Sequence, residues 1–251
     1  MDINNITTQL MYTTVPMYSL RKNNDAVFCT GLILNIQQSD NSAIPLIVTC
    51  YHSLKDSAGG YFSLQIKKDG QPVGEEARVH FSADFAEKFK LGDLDLVAFP
   101  FAGVLNDFQR KGTEIFFRGV DLGLFASQKT FGECDSIEDI ITFGYPNIVY
   151  DNIHMLPIAR RSYTATPIWN NYKNERGFLI DLPDSNGFEG SPVFIYNRGT
   201  VPTKDGVMLG NRVLFVGMIS GKTDGSERFV KVINSEVIKD EVDELLKKIK
   251  Q

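Results

Sequence analysis

Short runs of β-branched and aromatic residues, each closed off by Gly, Pro, Asn or Asp, recur from residue 26 to residue 234 without a helical pattern between them. A parallel α/β fold needs a crossover helix between successive strands, so this spacing leaves an antiparallel barrel or sandwich. Periodicity does not choose between those two. AVFCTGLILNI (26–36), PLIVTCY (45–51), the alternating segments on both sides of Asp69-Gly70 (61–81) and LDLVAFPF (94–101) form a first set of strands. An irregular stretch, 102–130, reads as a connection. IEDIITFGYP (137–146), HMLPIARRSYTATPIW (154–169), RGFLIDL (176–182), SPVFIY (191–196), NRVLFVGMIS (211–220) and RFVKVIN (228–234) form a second set. Only the tail reads as a helix: Ile238, Val242, Leu245 and Ile249 share one face, and Asn234 or Ser235 can cap it.

A chain of 251 residues can hold one large core or two small lobes. Its 26 Lys+Arg against 31 Asp+Glu are spread without a long block of one sign, which argues against a surface that wraps nucleic acid. No run approaches the roughly 20 apolar residues of a membrane span. The start, MDINNITTQLMY, lacks the basic and apolar regions of a leader, so a soluble chain without a retained export signal is expected. Cys29, Cys50 and Cys134 are an odd set with no C-x-x-C pattern; buried free thiols are expected, which favours the cytoplasm. Three scattered histidines suggest no metal site, and no cofactor motif is present.

Chemistry concentrates in three places. His52 follows the apolar run LIVTCY, where a strand end can aim a ring into a cleft, although a single histidine there is more often structural. Asp95 in GDLDLVAF leads into a buried-looking strand; a carboxylate there needs a partner, and a histidine Nδ1–H would serve. Asp93 stays open as the alternative. In NGFEGSPVFI (186–195), Gly187 and Gly190 let successive backbone N–H groups face one side, the geometry of an anion nest, or simply a loop before a strand.

Taken in order, these segments resemble the chymotrypsin/trypsin-like serine peptidases, especially bacterial members. FCTGLILN and IVTCYH resemble the strand and histidine motif, LDLVAF the aspartate motif, and GFEGSPVF the nucleophile turn G-x-S-G-[GS]-P. VGMISG resembles the strand flanking substrate, and RFVKVINSEVIKDEV the last strand and closing helix. The islands span residues 26–246. The resemblance implies two antiparallel six-stranded β-barrels with a C-terminal α-helix, divided as an arm (1–25), a first lobe (26–115), a second lobe (116–234) and the helix (235–251).

By position, the resemblance makes His52 the general base and Asp95 its orienting partner, with the amides of Gly187 and Glu189 as oxyanion donors. It also places Glu189 on the nucleophile position. Phe188 replaces the aspartate that pairs with a freed N-terminus, and Ser53 replaces the cysteine that bridges the first strand. Ile219, Ser220, Gly221 and Lys222 fall on the substrate-flanking strand, where Lys222 is expected to narrow the pocket or favour an acidic ligand. A carboxylate is a poor nucleophile toward an amide and opposes the oxyanion, so the expectation is an inactive homologue that binds an extended peptide or protein segment. The alternatives are an active serine endopeptidase or other hydrolase using a displaced nucleophile such as Ser191, or Ser185, and a purely structural interaction protein. Openness of the cleft beside Ile219–Gly221, against filling by Lys222 and the 197–210 loop, separates binding from scaffolding. The Glu189 side chain is expected to turn toward His52 rather than toward the nest amides.

Overall fold

The computed structural model describes residues 3–38, 42–83, 85–183, 185–203 and 206–249. The first sheet contains β1 (Thr14–Arg21), β2 (Ala26–Gln37), β3 (Ala43–Cys50), β4 (Ser57–Lys68), β5 (Gln71–Ser82), β6 (Leu96–Pro100), and the short β7 (Glu114–Phe116) and β8 (Val120–Asp121). Its order is β5-β4-β1-β2-β3-β6, with β7 on β4 and β8 on β2. The chain then forms β9 (Asp139–Gly144), β10 (Ile158–Tyr163), β11 (Gly177–Asp181) and β12 (Pro192–Asn197). A separate hairpin of β13 (Thr200–Thr203) and β14 (Gly206–Leu209) precedes β15 (Arg212–Lys222) and β16 (Phe229–Asn234). The second sheet runs β10-β9-β12-β15-β16-β11, and a bridge from Thr164 to Ile180 brings its two edges together. The fold is all-β, two barrel-like lobes with a C-terminal helix. Among the described residues, the named strands pair antiparallel except for the two-residue contact of β8 with β2, and an isolated bridge from Phe125 to Phe215 is also parallel.

Alternation decides what each lobe buries. Along β2, Cys29 and Ile33 enter the first lobe's core with Met17, Ile47, Phe62 and Phe99. The other face, Leu32 and Leu34, meets Phe143, Phe194, Phe215 and Met218 of the second sheet. A strand buried on both faces reads as a continuous apolar run, which is why FCTGLILNI stands out in the sequence. The second lobe closes over Phe178, Ile180, Val193, Ile195, Val216 and Val232. Asp69 (φ 50°) and Gly70 (φ 76°) both take positive φ, and Lys68 pairs with Gln71, so the Asp-Gly step makes the two-residue turn its chemistry favours.

Three expectations change. Residues 14–21 are not an arm: β1 lies inside the first sheet between β2 and β4, with Val15 and Met17 turned into the core. The first sheet also reaches past residue 115, because β7 and β8 carry it to Asp121. Helix is more frequent than the strand pattern suggested: α1 (Ile6–Met11), α2 (Tyr51–Leu54), α3 (Phe85–Lys88), α4 (Ala102–Arg110) and α5 (Gln128–Glu133) precede α6 (Ser235–Ile249). At the end of α4, Gly112 at φ 74° lets the Thr113 N–H reach back to the Phe108 carbonyl at 2.9 Å, a glycine C-cap. On α6, Ile238, Val242 and Leu245 are buried as expected and Asn234 accepts the Glu236 N–H. Ile249, however, is half exposed, and Val237 and Leu246 are covered instead.

Candidate functional site

The antiparallel register of β3 and β6 pairs Cys50 with Leu96, which sets the end of one strand beside the start of the other. The chain leaves β3 into α2, which carries His52, while Asp95 sits one residue before β6. Asp95 grips the turn twice: Oδ1 accepts the His52 backbone N–H at 2.9 Å and Oδ2 lies 2.5 Å from Nδ1. Its carbonyl accepts the Tyr51 N–H at 3.0 Å. Asp93 is exposed, so the open choice between the two aspartates falls to Asp95. With Nδ1 held by a carboxylate, Nε2 is the nitrogen left for exchange with a ligand.

The hydrogen bond to Asp95 is the main cause holding the His52 pKa above its ordinary value. Partial burial opposes it, the charges of Asp95 and Glu189 add to it, and Arg21 opposes it. The Arg21 guanidinium donates to the His52 carbonyl at 3.3 Å. A raised folded pKa stabilises the protein fully below the unfolded value of about 6.5, and that contribution is lost as pH rises through the folded value. NMR titration of the His52 ring is therefore expected to show a large fall in pKa for Asp95→Asn and a small one for Glu189→Gln. The reverse order would contradict this ranking of causes.

The turn at 187–190 is fixed by both lobes. The Glu189 carbonyl accepts the Thr30 N–H of β2 at 2.9 Å, the Gly190 N–H donates to the Ile219 carbonyl at 2.8 Å, and the Ile219 N–H donates to the Ser191 carbonyl at 2.9 Å. Phe188 is buried in the second lobe's core, a role unrelated to pairing with a chain terminus. Gly190 has φ 84°, and a Cβ there would stand 2.1 Å from the Thr30 carbonyl oxygen. Gly190→Ala combines left-handed strain with a clash against backbone and is expected to cost about 2–4 kcal/mol. Thermal unfolding measures it; an unchanged midpoint would show that the turn can move away from β2.

The Glu189 side chain takes the destination that was not expected. Its Oε2 accepts the Gly187 N–H at 2.6 Å, and no ion pair joins it to His52 among the described residues. The amide two residues upstream is a local partner held in place by the turn, whereas the imidazole lies across the cleft and already has Asp95. Ser191 and Ser185 are buried, and their hydroxyls have no hydrogen-bond partner among the described residues. The Ser191 Oγ faces β9, 2.3 Å from where a Cβ on Gly144 would stand. Neither serine is displayed in the cleft.

Pairing of β15 with β12 ends at Met218, so residues 220–222 have β16 on one side and an open edge on the other among the described residues. The Ile219 side chain is buried in the second lobe and contributes backbone only. A Cβ on Gly221 would lie 4.0 Å from His52 Cε1, which sets this edge against the imidazole. Beside it opens a cavity of about 500 Å³ lined by Asp93, Leu94, Asp95, Ser220, Gly221 and Lys222, among others. The β13–β14 hairpin is not part of its wall. Lys222 pairs with Glu227 at the rim of this cavity.

Cys50 is the site residue that sequence reasoning passed over. Its thiol donates to the Ile219 carbonyl at 3.2 Å, and its sulfur, a His52 nitrogen and an Asp95 oxygen lie within 4.8 Å of one another. Burial, helped by the Asp95 charge, pushes the thiol pKa well up. Cys50 thereby ties the histidine strand to the β15 edge through this thiol–carbonyl contact. Its place two residues before His52 on a buried strand was the available signal. Cys29 is also a free thiol; it meets Ser53 and Thr49, and burial lifts its pKa to about 12.

No protein-family model and no curated protein matches the sequence. Among solved structures, the fold is similar to the HtrA-type protease AlgW with tripeptide, at a TM-score of 0.52 and 11% identity over 96% of this chain and 62% of that one. It is similar to a serine endoprotease from Yersinia pestis at a TM-score of 0.52, with 12% identity and coverage of 98% and 67%. HL collagenase matches at a TM-score of 0.50 and 13% identity, with 94% of each chain covered. The chain thus spans less than two thirds of AlgW. At these identities the likeness is one of fold, the chymotrypsin/trypsin-like serine protease architecture.

Proposed function

We propose that the chain is a catalytically inactive homologue of trypsin-like serine peptidases that binds an extended peptide between its two lobes. The observation that carries this reading is the Glu189 carboxylate on the Gly187 N–H at 2.6 Å. Acyl transfer needs a nucleophilic oxygen at this turn and a vacant amide to receive the oxyanion. Glu189 removes the first and occupies the second. His52 and Asp95 keep the relation a general base requires, but the hydroxyls of Ser185 and Ser191 are buried away from the base. Recognition has different requirements. The open edge at 220–222 offers main-chain groups to an added strand, and the adjoining cavity can receive its side chains.

A fluorophosphonate is expected to leave the protein unlabelled, and an immobilised pool of random twelve-residue peptides is expected to yield binders. Ser220→Trp, which places an indole in the cavity, should weaken those binders about tenfold or more. Stoichiometric labelling at Ser185 or Ser191 would refute inactivity. Failure to retain any peptide would refute binding.

A further inference from the structure

The hairpin of β13 and β14 forms a sheet of its own and lines no part of the cavity beside 220–222, so the peptidase-like chemistry gives it no task. Its base is held firmly. The Gly210 N–H donates to the Gly199 carbonyl and the Gly199 N–H to Asn211 Oδ1, both at 3.0 Å, and Arg212 Nε donates to Asn197 Oδ1 at 2.7 Å. Val201 of β13 is buried. By contrast, all of β14 is open: Val207 is 68% exposed, Met208 59% and Leu209 90%.

A two-stranded hairpin is marginal in water by itself and gains stability from further strands. The ladder shows which edge can take one. Register partners of an antiparallel pair alternate between those that exchange main-chain hydrogen bonds and those that do not. Gly199 and Gly210 are bonded, so Thr200 with Leu209 and Pro202 with Val207 are the non-bonded pairs, and their N–H and C=O groups point to the two outer edges. On β13 that edge is blunted, because Pro202 has no N–H to offer. On β14 the main-chain groups of Val207 and Leu209 are intact. No proline or charged residue, the usual protection of an edge, interrupts Gly206–Leu209, and no strand other than β13 pairs with it among the described residues.

We propose that β14 pairs antiparallel with β14 of a second copy of this chain, about a two-fold axis at Met208, to build a four-stranded sheet across a dimer. In that register Val207 of each copy faces Leu209 of the other and exchanges main-chain hydrogen bonds with it, and the two Met208 residues meet as the non-bonded pair between them. The area available is that of a stable pair. Trp169 and Ser136 line one cavity with Thr203 of β13, so the exposed Trp169 and Ile137 belong to the same end of the lobe. With about 100 Å² open on each, these two residues and Val207, Met208 and Leu209 present about 500 Å² of apolar surface. That is about the apolar share of the roughly 800 Å² that one partner of a stable complex buries. A lipid surface would cover the same side chains but leave the outward N–H and C=O groups of β14 unpaired in hydrocarbon. The formal charge of -5 also gives no attraction to anionic headgroups.

Sedimentation velocity on the intact protein is expected to show a reversible dimer that fills as concentration rises. Leu209→Lys, which sets a cation on the pairing edge, should weaken association about tenfold or more. A disulfide reads the register. Cys29, Cys50 and Cys134 are buried, so an added surface cysteine reports alone. Met208→Cys should give a cross-linked dimer under mild oxidation, because the Cα atoms of a non-bonded pair lie about 4.5 Å apart, within disulfide reach. Val207→Cys should not, because its two copies stand diagonally across the axis. A circular dichroism spectrum matching the parent's shows that each variant is folded; Val207→Lys replaces Leu209→Lys if that variant is not. A parent that stays monomeric at about 100 μM would overturn the proposal. So would a dimer that the folded lysine variant leaves unchanged, or equal cross-linking at positions 207 and 208. Binding of a monomeric parent to phosphatidylcholine vesicles, lost in Leu209→Lys, would assign the patch to a membrane and overturn the dimer.

Discussion

Arg212→Ala is expected to lose about 3–5 kcal/mol of folding stability, the largest effect of any single charge removal in this protein. Glu138 is 2% exposed, and both of its oxygens accept from Arg212 Nη2, at 3.0 and 2.9 Å. The Asp135 N–H donates to Oε1 at 2.9 Å, and Arg212 Nε donates to Asn197 Oδ1 at 2.7 Å. Removing the guanidinium leaves a buried carboxylate with no paired cation among the described residues, and it cannot recover its hydration without opening the sheet. Glu138→Ala strands the arginine in the same way, but Arg212 is 15% exposed side chain and reaches water more easily, so its loss should be smaller. A Glu138→Leu/Arg212→Met pair removes both charges and is expected to recover most of the stability, because apolar replacement of a buried ion pair is often neutral. Urea unfolding of the four proteins decides the matter. A loss below about 1 kcal/mol for Arg212→Ala would mean that the pair is hydrated in solution.

Glu189→Ser is expected to convert a chain that a fluorophosphonate ignores into one labelled at position 189. The exchange supplies a hydroxyl and at the same time releases the Gly187 N–H. One oxyanion donor of this kind is worth about 3–4 kcal/mol in the transition state, a factor of about 10²–10³ in rate. Glu189→Ala separates the two effects: it frees the amide without adding a nucleophile and should stay unlabelled. His52→Ala combined with Glu189→Ser should slow labelling by about 10³-fold or more, since the hydroxyl then has no base. A folded Glu189→Ser protein that resists the reagent would show that the His52–Asp95 pair and the turn are no longer arranged for acyl transfer.

Strands whose residues alternate beside recognisable turns were legible because the signal is local. Asp69-Gly70 specifies its own turn, and FCTGLILNI betrays burial on both faces. β1 was missed for the opposite reason. Pro16 breaks its propensity pattern, and its place comes from two partners, β2 and β4, that hold it from either side. The connection at 102–130 concealed α4, whose Gly103, Asn106 and Asp107 are weak helix formers, and only the glycine cap marked its end.

The same division runs through the candidate site. Strand ends, the glycine turn and the identities His52, Asp95 and Glu189 can be read from short windows, because alternation, positive φ and side-chain chemistry are properties of neighbours in sequence. Choosing Asp95 over Asp93 required the register of β3 with β6, which joins residues 43 positions apart. Cys50 gained its role from a carbonyl 169 positions away. Glu189 could reach a ring or an amide, and the packed turn settled on the amide because Gly187 was already held within 2.6 Å of a carboxylate that needed only to fold back. Residue type and spacing thus set which groups are available, while partner choice between groups of similar affinity depends on distances that exist only after the two lobes close on each other.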